Sequence, residues 1–296
     1  MKRVLLAFNI LLASTFVLLV QDISTYYDLY GHLEITFLDV GQGDSILIKT
    51  PSNSFGLIDG GRGKRVIEEL EQVLPDSFYE FSFIIITHPD ADHAEGIIHV
   101  LNKYDTKRIF LNEIAEPTEI YHNLSEVITS KNIPNYTLSS ENDFVVGELL
   151  FDIIWPSPEL NSYRTDDLND ISTGFIMQYK NLTFYSAGDL SSKYEEKVFN
   201  TYKTIDPIDI FKAGHHGSKT SSSKKMLEIS RPKVAIFSAG LNNSYGHPHK
   251  EVIQNFNDVN AQQFRTDIMG RISVETDGME FALISCEKCE KSKIKL

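Results

Sequence analysis

Four side chains able to bind a divalent metal ion stand within six positions of Thr87-His88-Pro89-Asp90-Ala91-Asp92-His93. A polar turn with a capping aspartate accounts for Asp92 alone; it does not account for two imidazoles interleaved with two carboxylates. The stretch follows residues 81–86, an apolar, β-branched run that predicts a buried strand. Placement at a strand end matters. A tight loop can turn several side chains toward one centre, whereas a helix distributes neighbouring residues around its circumference. One divalent ion takes about four to six donors, so His88 and Asp90 can face one ion while Asp92 and His93 face another.

Two ions need a bridging carboxylate, and Asp189 is the candidate. It ends the apolar run Phe184-Tyr185-Ser186-Ala187-Gly188-Asp189, although an N-cap for the following helix is the competing reading. More imidazoles stand at later strand ends: His215 and His216 in Gly214-His215-His216-Gly217-Ser218, and His247 and His249 in Tyr245-Gly246-His247-Pro248-His249. Lys212, Lys219, Lys224 and Lys225 bracket the paired histidines among Ser218 and Ser221, Ser222 and Ser223. That basic, hydroxyl-rich stretch can grip a phosphate, with Ser218 and Lys219 as substrate-binding candidates. A solvated helix N-terminus explains it equally well.

Positioning these groups requires a layered scaffold. Strand-like runs are predicted at 33–38, 45–49, 55–58 and 81–86, then at 145–155, 174–179, 182–186, 208–212, 234–238, 271–275 and 281–285. Helical spacing falls at 64–74, 93–104, 192–202, 224–229 and 249–256. Two sheet-rich halves with interspersed helices fit a layered α/β architecture better than an all-β sandwich.

Met1-Lys2-Arg3 precedes an apolar run at 4–20 broken only by Asn9, Ser14 and Thr15, the order of an export signal and about the minimum length for a bilayer span. No small-x-small cleavage site follows it. An uncleaved anchor with the body outside the cytoplasm is therefore expected, secretion being the alternative. The expected organisation is an anchor or signal segment at 1–21, a connector at 22–32, a catalytic domain at 33–285 and a charged tail at 286–296. That tail holds the only cysteines, Cys286 and Cys289, too few for a zinc site of their own. A net charge of −13 disfavours indiscriminate binding to polyanions, though clustered carboxylates at a metal site inflate the count.

Several ordered motifs together carry a family resemblance. Phe37-Leu38-Asp39-Val40-Gly41-Gln42-Gly43-Asp44-Ser45, Leu57-Ile58-Asp59-Gly60-Gly61, the stretch from His88 to His93, Gly188-Asp189, His215-His216-Gly217-Ser218, Tyr245-Gly246-His247-Pro248 and Arg265-Thr266-Asp267-Ile268-Met269-Gly270 resemble the extracytoplasmic metallo-β-lactamase-like domain of ComEC-type competence proteins. The chain is more loosely similar to phosphorylcholine esterases of that fold. The resemblance implies a four-layer αβ/βα sandwich with two divalent ions, Zn²⁺ or Mn²⁺, at one edge. It implies that His88 and Asp90 hold one ion, Asp92 and His93 the other, that Asp189 bridges and that His215 completes the shell. His216 and His247 would lie near the substrate, as ligand or general acid.

Two departures from the wider fold stand out. Asp90 replaces a histidine, which hardens the site toward Mn²⁺. Asn169-Asp170-Ile171-Ser172 occupies the region of a further histidine. The activity implied is hydrolysis of a phosphodiester, with extracellular DNA as the leading substrate, by a metal-bridging hydroxide that Asp90 or Asp92 orients while His216 or His247 protonates the leaving oxygen. Esterase action on choline-decorated wall polymers and a catalytically silent anchored binding module are the alternatives.

Overall fold

The computed structural model describes residues 31–112, 118–157, 167–201, 207–286 and 294–295. The expected anchor at 1–21, most of the connector at 22–32 and most of the tail at 286–296, Cys289 included, lie outside the described residues. Among the described residues no helix is long and apolar enough to cross a membrane.

Strands β1 (Leu33–Phe37), β2 (Ile46–Lys49) and β3 (Phe55–Ile58) form an antiparallel meander. Helix α1 (Arg65–Val73), β4 (Glu80–Phe81), β5 (Phe83–Ile86), α2 (Gly96–Lys103), β6 (Asp105–Thr106), β7 (Ile109–Leu111), α3 (Glu119–Ser130) and β8 (Asn135–Thr137) follow. The second half runs β9 (Phe144–Val146), β10 (Leu149–Trp155), β11 (Gly174–Tyr179), β12 (Leu182–Ser186), α4 (Ser192–Thr201), β13 (Ile210–Lys212), α5 (Lys224–Ser230), β14 (Val234–Phe237), α6 (Lys250–Asp258), β15 (Gln262–Arg265) and α7 (Thr266–Met269). Finally β16 (Ile272–Thr276), β17 (Phe281–Cys286) and β18 (Ile294–Lys295) return to the first sheet.

One sheet has the order β18-β17-β16-β1-β2-β3-β5-β7-β8 and the other β15-β14-β13-β12-β11-β10-β9. Period-2 alternation gives each sheet two apolar faces. Leu33, Ile35, Phe37, Ile46, Phe83 and Ile85 of the first sheet meet Phe151, Phe175, Phe184 and Ile236 of the second. On the outer side of the first sheet, Leu47, Leu57, Ile84 and Ile86 pack under Val66, Leu70, Ile97, Val100 and Leu124 of α1, α2 and α3. Tyr185, Phe211, Ala235 and Phe237 likewise pack under Phe199, Met226, Leu227 and Phe256 of α4, α5 and α6. The expected αβ/βα sandwich is therefore present.

The differences from expectation are local. The stretch predicted at 145–155 is a hairpin, because Gly147, at φ +59°, turns the chain between β9 and β10. The run at 81–86 breaks at Ser82, whose amide and hydroxyl both donate to the Phe55 carbonyl. The helix expected from His93 opens as a wide π turn at Ala91–Glu95 before α2 begins. Strands β7, β8 and β15 and helix α3 were not expected. β15, Gln-Gln-Phe-Arg, buries only Phe264 fully and carries no strong apolar period, whereas α3 places Ile120, Leu124, Val127 and Ile128 at helical spacing against the core, a signal the sequence did offer.

Phe151 sits where the sheets meet, stacked on Phe144 at 4.7 Å and edge-on to Phe83 at 5.5 Å. Phe151→Ala is expected to destabilise the protein by about 3–5 kcal/mol in urea unfolding, through lost burial and the cavity left behind. A change under about 1 kcal/mol would contradict the placement of the core between the sheets.

Candidate metal centre

Parallel pairing aligns the carboxyl ends of β3 with β5, and of β12, β13 and β14 with one another. β1 points the same way as β3, since both are antiparallel to β2. Loops leaving these ends therefore gather at one edge of the sandwich, where α/β sheets generally hold ligands. The first-sheet loops touch backbone to backbone. Asp44 N donates to Asp92 O (3.1 Å), Gly60 N to His93 O (2.7 Å) and Gly96 N to Gly61 O (2.9 Å). A Cβ at Gly43 would collide with the Asp92 carbonyl, and one at Gly96 with that of Gly60.

Asp59, at the end of β3, is the buried anchor of the His88–His93 loop. Its carboxylate accepts from Thr87 N (2.8 Å) and Thr87 Oγ1 (2.7 Å) and lies 2.8 Å from His93 Nδ1. A carboxylate can only accept, so Nδ1 carries the proton and Nε2 of His93 turns to the centre. The same logic fixes two more imidazoles. His216 Nδ1 lies 3.0 Å from the Ser238 carbonyl, an acceptor. His88 Nδ1 lies 3.1 Å from Thr87 Oγ1 and 3.3 Å from Ser172 Oγ, hydroxyls whose own protons go to Asp59 and to the Ala187 carbonyl. Each ring thus presents Nε2 inward.

Asp189 meets them from the second sheet. Gly188, at φ +51°, precedes it where any Cβ would collide with Ser172 Oγ and Thr87 Oγ1. Its carboxylate lies 3.2 Å from His93 Nε2, 3.4 Å from His216 Nε2 and 3.5 Å from His215 Nε2. His216 Nε2 is also 3.3 Å from Asp92 Oδ2. The N-cap alternative for Asp189 fails, because its carboxylate faces the histidines.

The donor set fits a metal ion. Nε2 of His88, His93 and His216 and Oδ1 of Asp189 are buried and lack an aligned hydrogen bond among the described residues. Leaving such atoms unmet costs about 1–3 kcal/mol each, and a shared divalent ion meets them together. Donor atoms of Asp44, His93, Asp189 and His216 all lie within 4.8 Å of one another. Asp44 differs from the rest: it is ion-paired to the fully buried Lys212 and lies 3.2 Å from His216 Nδ1, the side of that ring turned away from Asp189. Asp90 stands further out, 3.7 Å from His88 Nε2 and part exposed.

The histidine loop is held under backbone strain. His215 and His216 both adopt positive φ, 47° and 55°, a region costly for residues with a Cβ. Hydrogen bonds from His215 N to Gly188 O (3.0 Å) and from Gly214 N to Ser222 Oγ (2.9 Å) hold them there. Glu195 of α4 accepts from Ser222 N (2.6 Å) and Tyr185 Oη (3.1 Å), and burial pushes its pKa up to about 7.

The outer candidates separate. His247 is buried, with its ring 6.4 Å from that of His216, while His215 is partly exposed. Lys212 is internal and so cannot reach a phosphate backbone at the surface, while Lys224 pairs with Asp258 and Lys225 with Glu196, as the alternative reading of a solvated helix N-terminus has it. Lys219 is exposed. Ser218 is buried, its Oγ accepting from the Thr220 amide and hydroxyl, so it shapes the loop. The residues that sequence reasoning passed over as candidates are Asp44, Asp59, Thr87 and Ser172, while it counts Lys212 as a phosphate-gripping cation and not as the partner of Asp44. Asp59 shares with Asp189 the signal of an aspartate beside glycine at the end of an apolar strand.

Charge follows from this packing. Burial opposes protonation of His93 and His216, but carboxylates outweigh it, Asp189 and Asp59 at His93 and Asp189 and Asp44 at His216, and hold both pKa values well above the usual histidine range. Burial and the neighbouring His93 charge push His88 down to about 3. Burial and the charges on His216, His215 and His249 push His247 down to about 4, which leaves it a poor proton donor at neutral pH. With no ion bound, the stabilising pairs at His93 and His216 are complete below the unfolded-state pKa of about 6.5 and are lost as pH rises through the raised values. An entering ion must displace those protons. Calorimetric titration of the full chain with Mn²⁺ or Zn²⁺, in two buffers of different ionisation enthalpy, should show proton release at pH 7 and an affinity that rises with pH. Binding without proton exchange would contradict the charge state assigned to His93 and His216.

Comparison with known proteins agrees with the geometry. The chain is 28% identical over 258 residues to ComE operon protein 3 of Bacillus subtilis, covering 81% of this chain and 32% of that protein. It is 26% identical over 242 residues to competence protein ComA of Neisseria gonorrhoeae, covering 80% of this chain and 31% of that one. It thus spans about a third of the length of these ComEC-type relatives. The metallo-beta-lactamase fold protein YhfI of Bacillus subtilis superposes with a TM-score of 0.57 at 9% identity, over 83% of this chain and 100% of that one, a likeness of fold alone. Residues 38–240, well over half of the sequence, match the metallo-beta-lactamase superfamily, and the chain belongs to it.

Proposed function

We propose that the chain is a metal-dependent phosphodiesterase. The observation that carries this reading is the convergence of Asp92, His93, Asp189 and His216, from loops of both sheets, with inward Nε2 atoms that no protein group meets in line. In it, Asp92, His93, Asp189 and His216 would hold one divalent ion and His88 and Asp90 would hold a second. The role expected of His215 as the completing ligand passes to His216, whose ring is buried and anchored at Nδ1. His215, partly exposed and with Nε2 3.5 Å from Asp189, is in this reading the imidazole that serves the leaving oxygen. His247, expected as an alternative acid, borders the site as a neutral ring.

Such ions lower the pKa of water and neutralise charge on an attacked phosphoryl oxygen. The chain's own part is to hold the donors rigid. Asp59 and Ser238 fix ring orientation, and Lys212 balances Asp44 behind His216, so that the buried negative charge of Asp44 does not stand alone. Burial opposes ionisation of Asp92, yet the close approach of His216 Nε2, at 3.3 Å, and the His93 and His216 charges hold its carboxyl well below the usual range, so it is ionised and ready to ligate. A centre of this kind favours an anionic ester. The relatives named for competence support a nucleic-acid substrate. The apolar run at 4–20, outside the described residues, supports a location at a membrane with the domain on the outer side.

The purified full chain with Mn²⁺ should hydrolyse bis(p-nitrophenyl) phosphate and a single-stranded oligonucleotide. Asp189→Asn, folded by circular dichroism, should lower turnover more than about 100-fold, beyond the 10–100-fold typical of losing an outer-shell partner. Equal rates in the two proteins would contradict the metal mechanism. Hydrolysis of p-nitrophenylphosphorylcholine with no oligonucleotide cleavage would move the reading to the esterase.

A further inference from the structure

The loop after β14 carries an aromatic ladder that the metal chemistry does not use. The Tyr245 ring stacks on His247, with centroids 5.6 Å apart and planes 25° from parallel. His247 meets His249 edge-on at 4.8 Å and His215 edge-on at 5.6 Å. Two ring steps therefore separate Tyr245 from the metal centre. Tyr245 is 62% exposed even though His247 stacks on its ring.

This loop is held in shape. Asn243 Nδ2 donates to the carbonyls of Gly240 (2.9 Å) and His247 (2.6 Å), and His247 N donates to Asn243 Oδ1 (2.9 Å). It is also tied to the His215–His216 loop, since His249 N donates to Gly217 O (2.9 Å) and Lys219 N to His249 Nδ1 (3.3 Å). Lys219, whose amide donates to His249, and Lys250, next to His249 in the chain, are both exposed. An aromatic face fixed beside a phosphoryl site, with cations at its rim, matches the chemistry of a nucleotide next to the one being cut. The base stacks while its phosphate lies along the lysines.

Resting on the phosphodiesterase reading, we propose that Tyr245, backed by His247, is a stacking platform for an unpaired nucleobase, and that the substrate is single-stranded nucleic acid. Inside a duplex both faces of a base are already covered, so only an unpaired or frayed base can use the platform. Stacking is indifferent to base identity, since every base has a π-face. It suits a chain whose net charge of −13 gives duplex polyanions weak general attraction.

Binding can be read without catalysis. In EDTA, fluorescence anisotropy of a fluorescein-labelled octathymidylate and of a matching strand with abasic positions separates base from backbone contacts. The full chain should bind the base-bearing strand about tenfold more tightly than the abasic one. Tyr245→Ala should abolish that difference, and Tyr245→Phe should keep it. With Mn²⁺ the same variants should change KM for the base-bearing strand and leave hydrolysis of dimethyl phosphate unaltered. A Tyr245→Ala protein with wild-type preference for bases, or tighter binding of duplex than of single strand by the wild type, overturns the platform. Tyr245-dependent binding with no hydrolysis of any phosphodiester overturns the hydrolytic reading while leaving the platform in place.

Discussion

One buried carboxylate, Asp59, organises the edge of the sandwich where chemistry is placed. Through Thr87 and His93 it fixes the start and end of the His88–His93 loop, and the Thr87 hydroxyl it engages in turn orients His88. Imidazole has two nitrogens, and tying down Nδ1 is what leaves Nε2 available at the centre. Ser238 does the same for His216 from the opposite sheet. The sandwich supplies the remaining constraint: parallel strands deliver both sets of loops to the same edge, and glycines let their backbones touch.

Much of this arrangement was legible in the residues. The strand ending at Ile86, the loop from His88 to His93 and the strand ending before Gly188-Asp189 were each marked by an apolar run stopping at a polar cluster. What alternation cannot report is which imidazole faces inward. His215 and His216 are neighbours on a loop with left-handed backbone, so the choice between them depends on φ values and on the Ser238 carbonyl, from a strand end 22 positions away. Lys212 illustrates the same limit. By composition it belongs with three solvated lysines, whereas its register in β13 turns it inward onto Asp44.

Weak apolar periodicity hid some of the elements. β15 completes the second sheet with Phe264 alone fully buried, held in place by pairing to β14. The hairpin of β9 and β10 reads as one long strand until Gly147 is seen at positive φ. These are tertiary effects, in which neighbouring strands and turn geometry override local pattern. The scaffold and the donor loops were thus readable, while the groups that orient the donors, Asp59, Thr87, Ser172 and Ser238, came only with the fold.

The central claim is that imidazoles and carboxylates from both sheets share metal ions through inward Nε2 atoms. Anomalous scattering from a crystal of the full chain soaked in Mn²⁺ tests it most directly. The account predicts a peak at bonding distance from His93 Nε2, His216 Nε2 and the carboxylates of Asp92 and Asp189, with a second peak beside His88 and Asp90. A crystal that binds Mn²⁺ elsewhere, or through His215 with His216 left unligated, would contradict it.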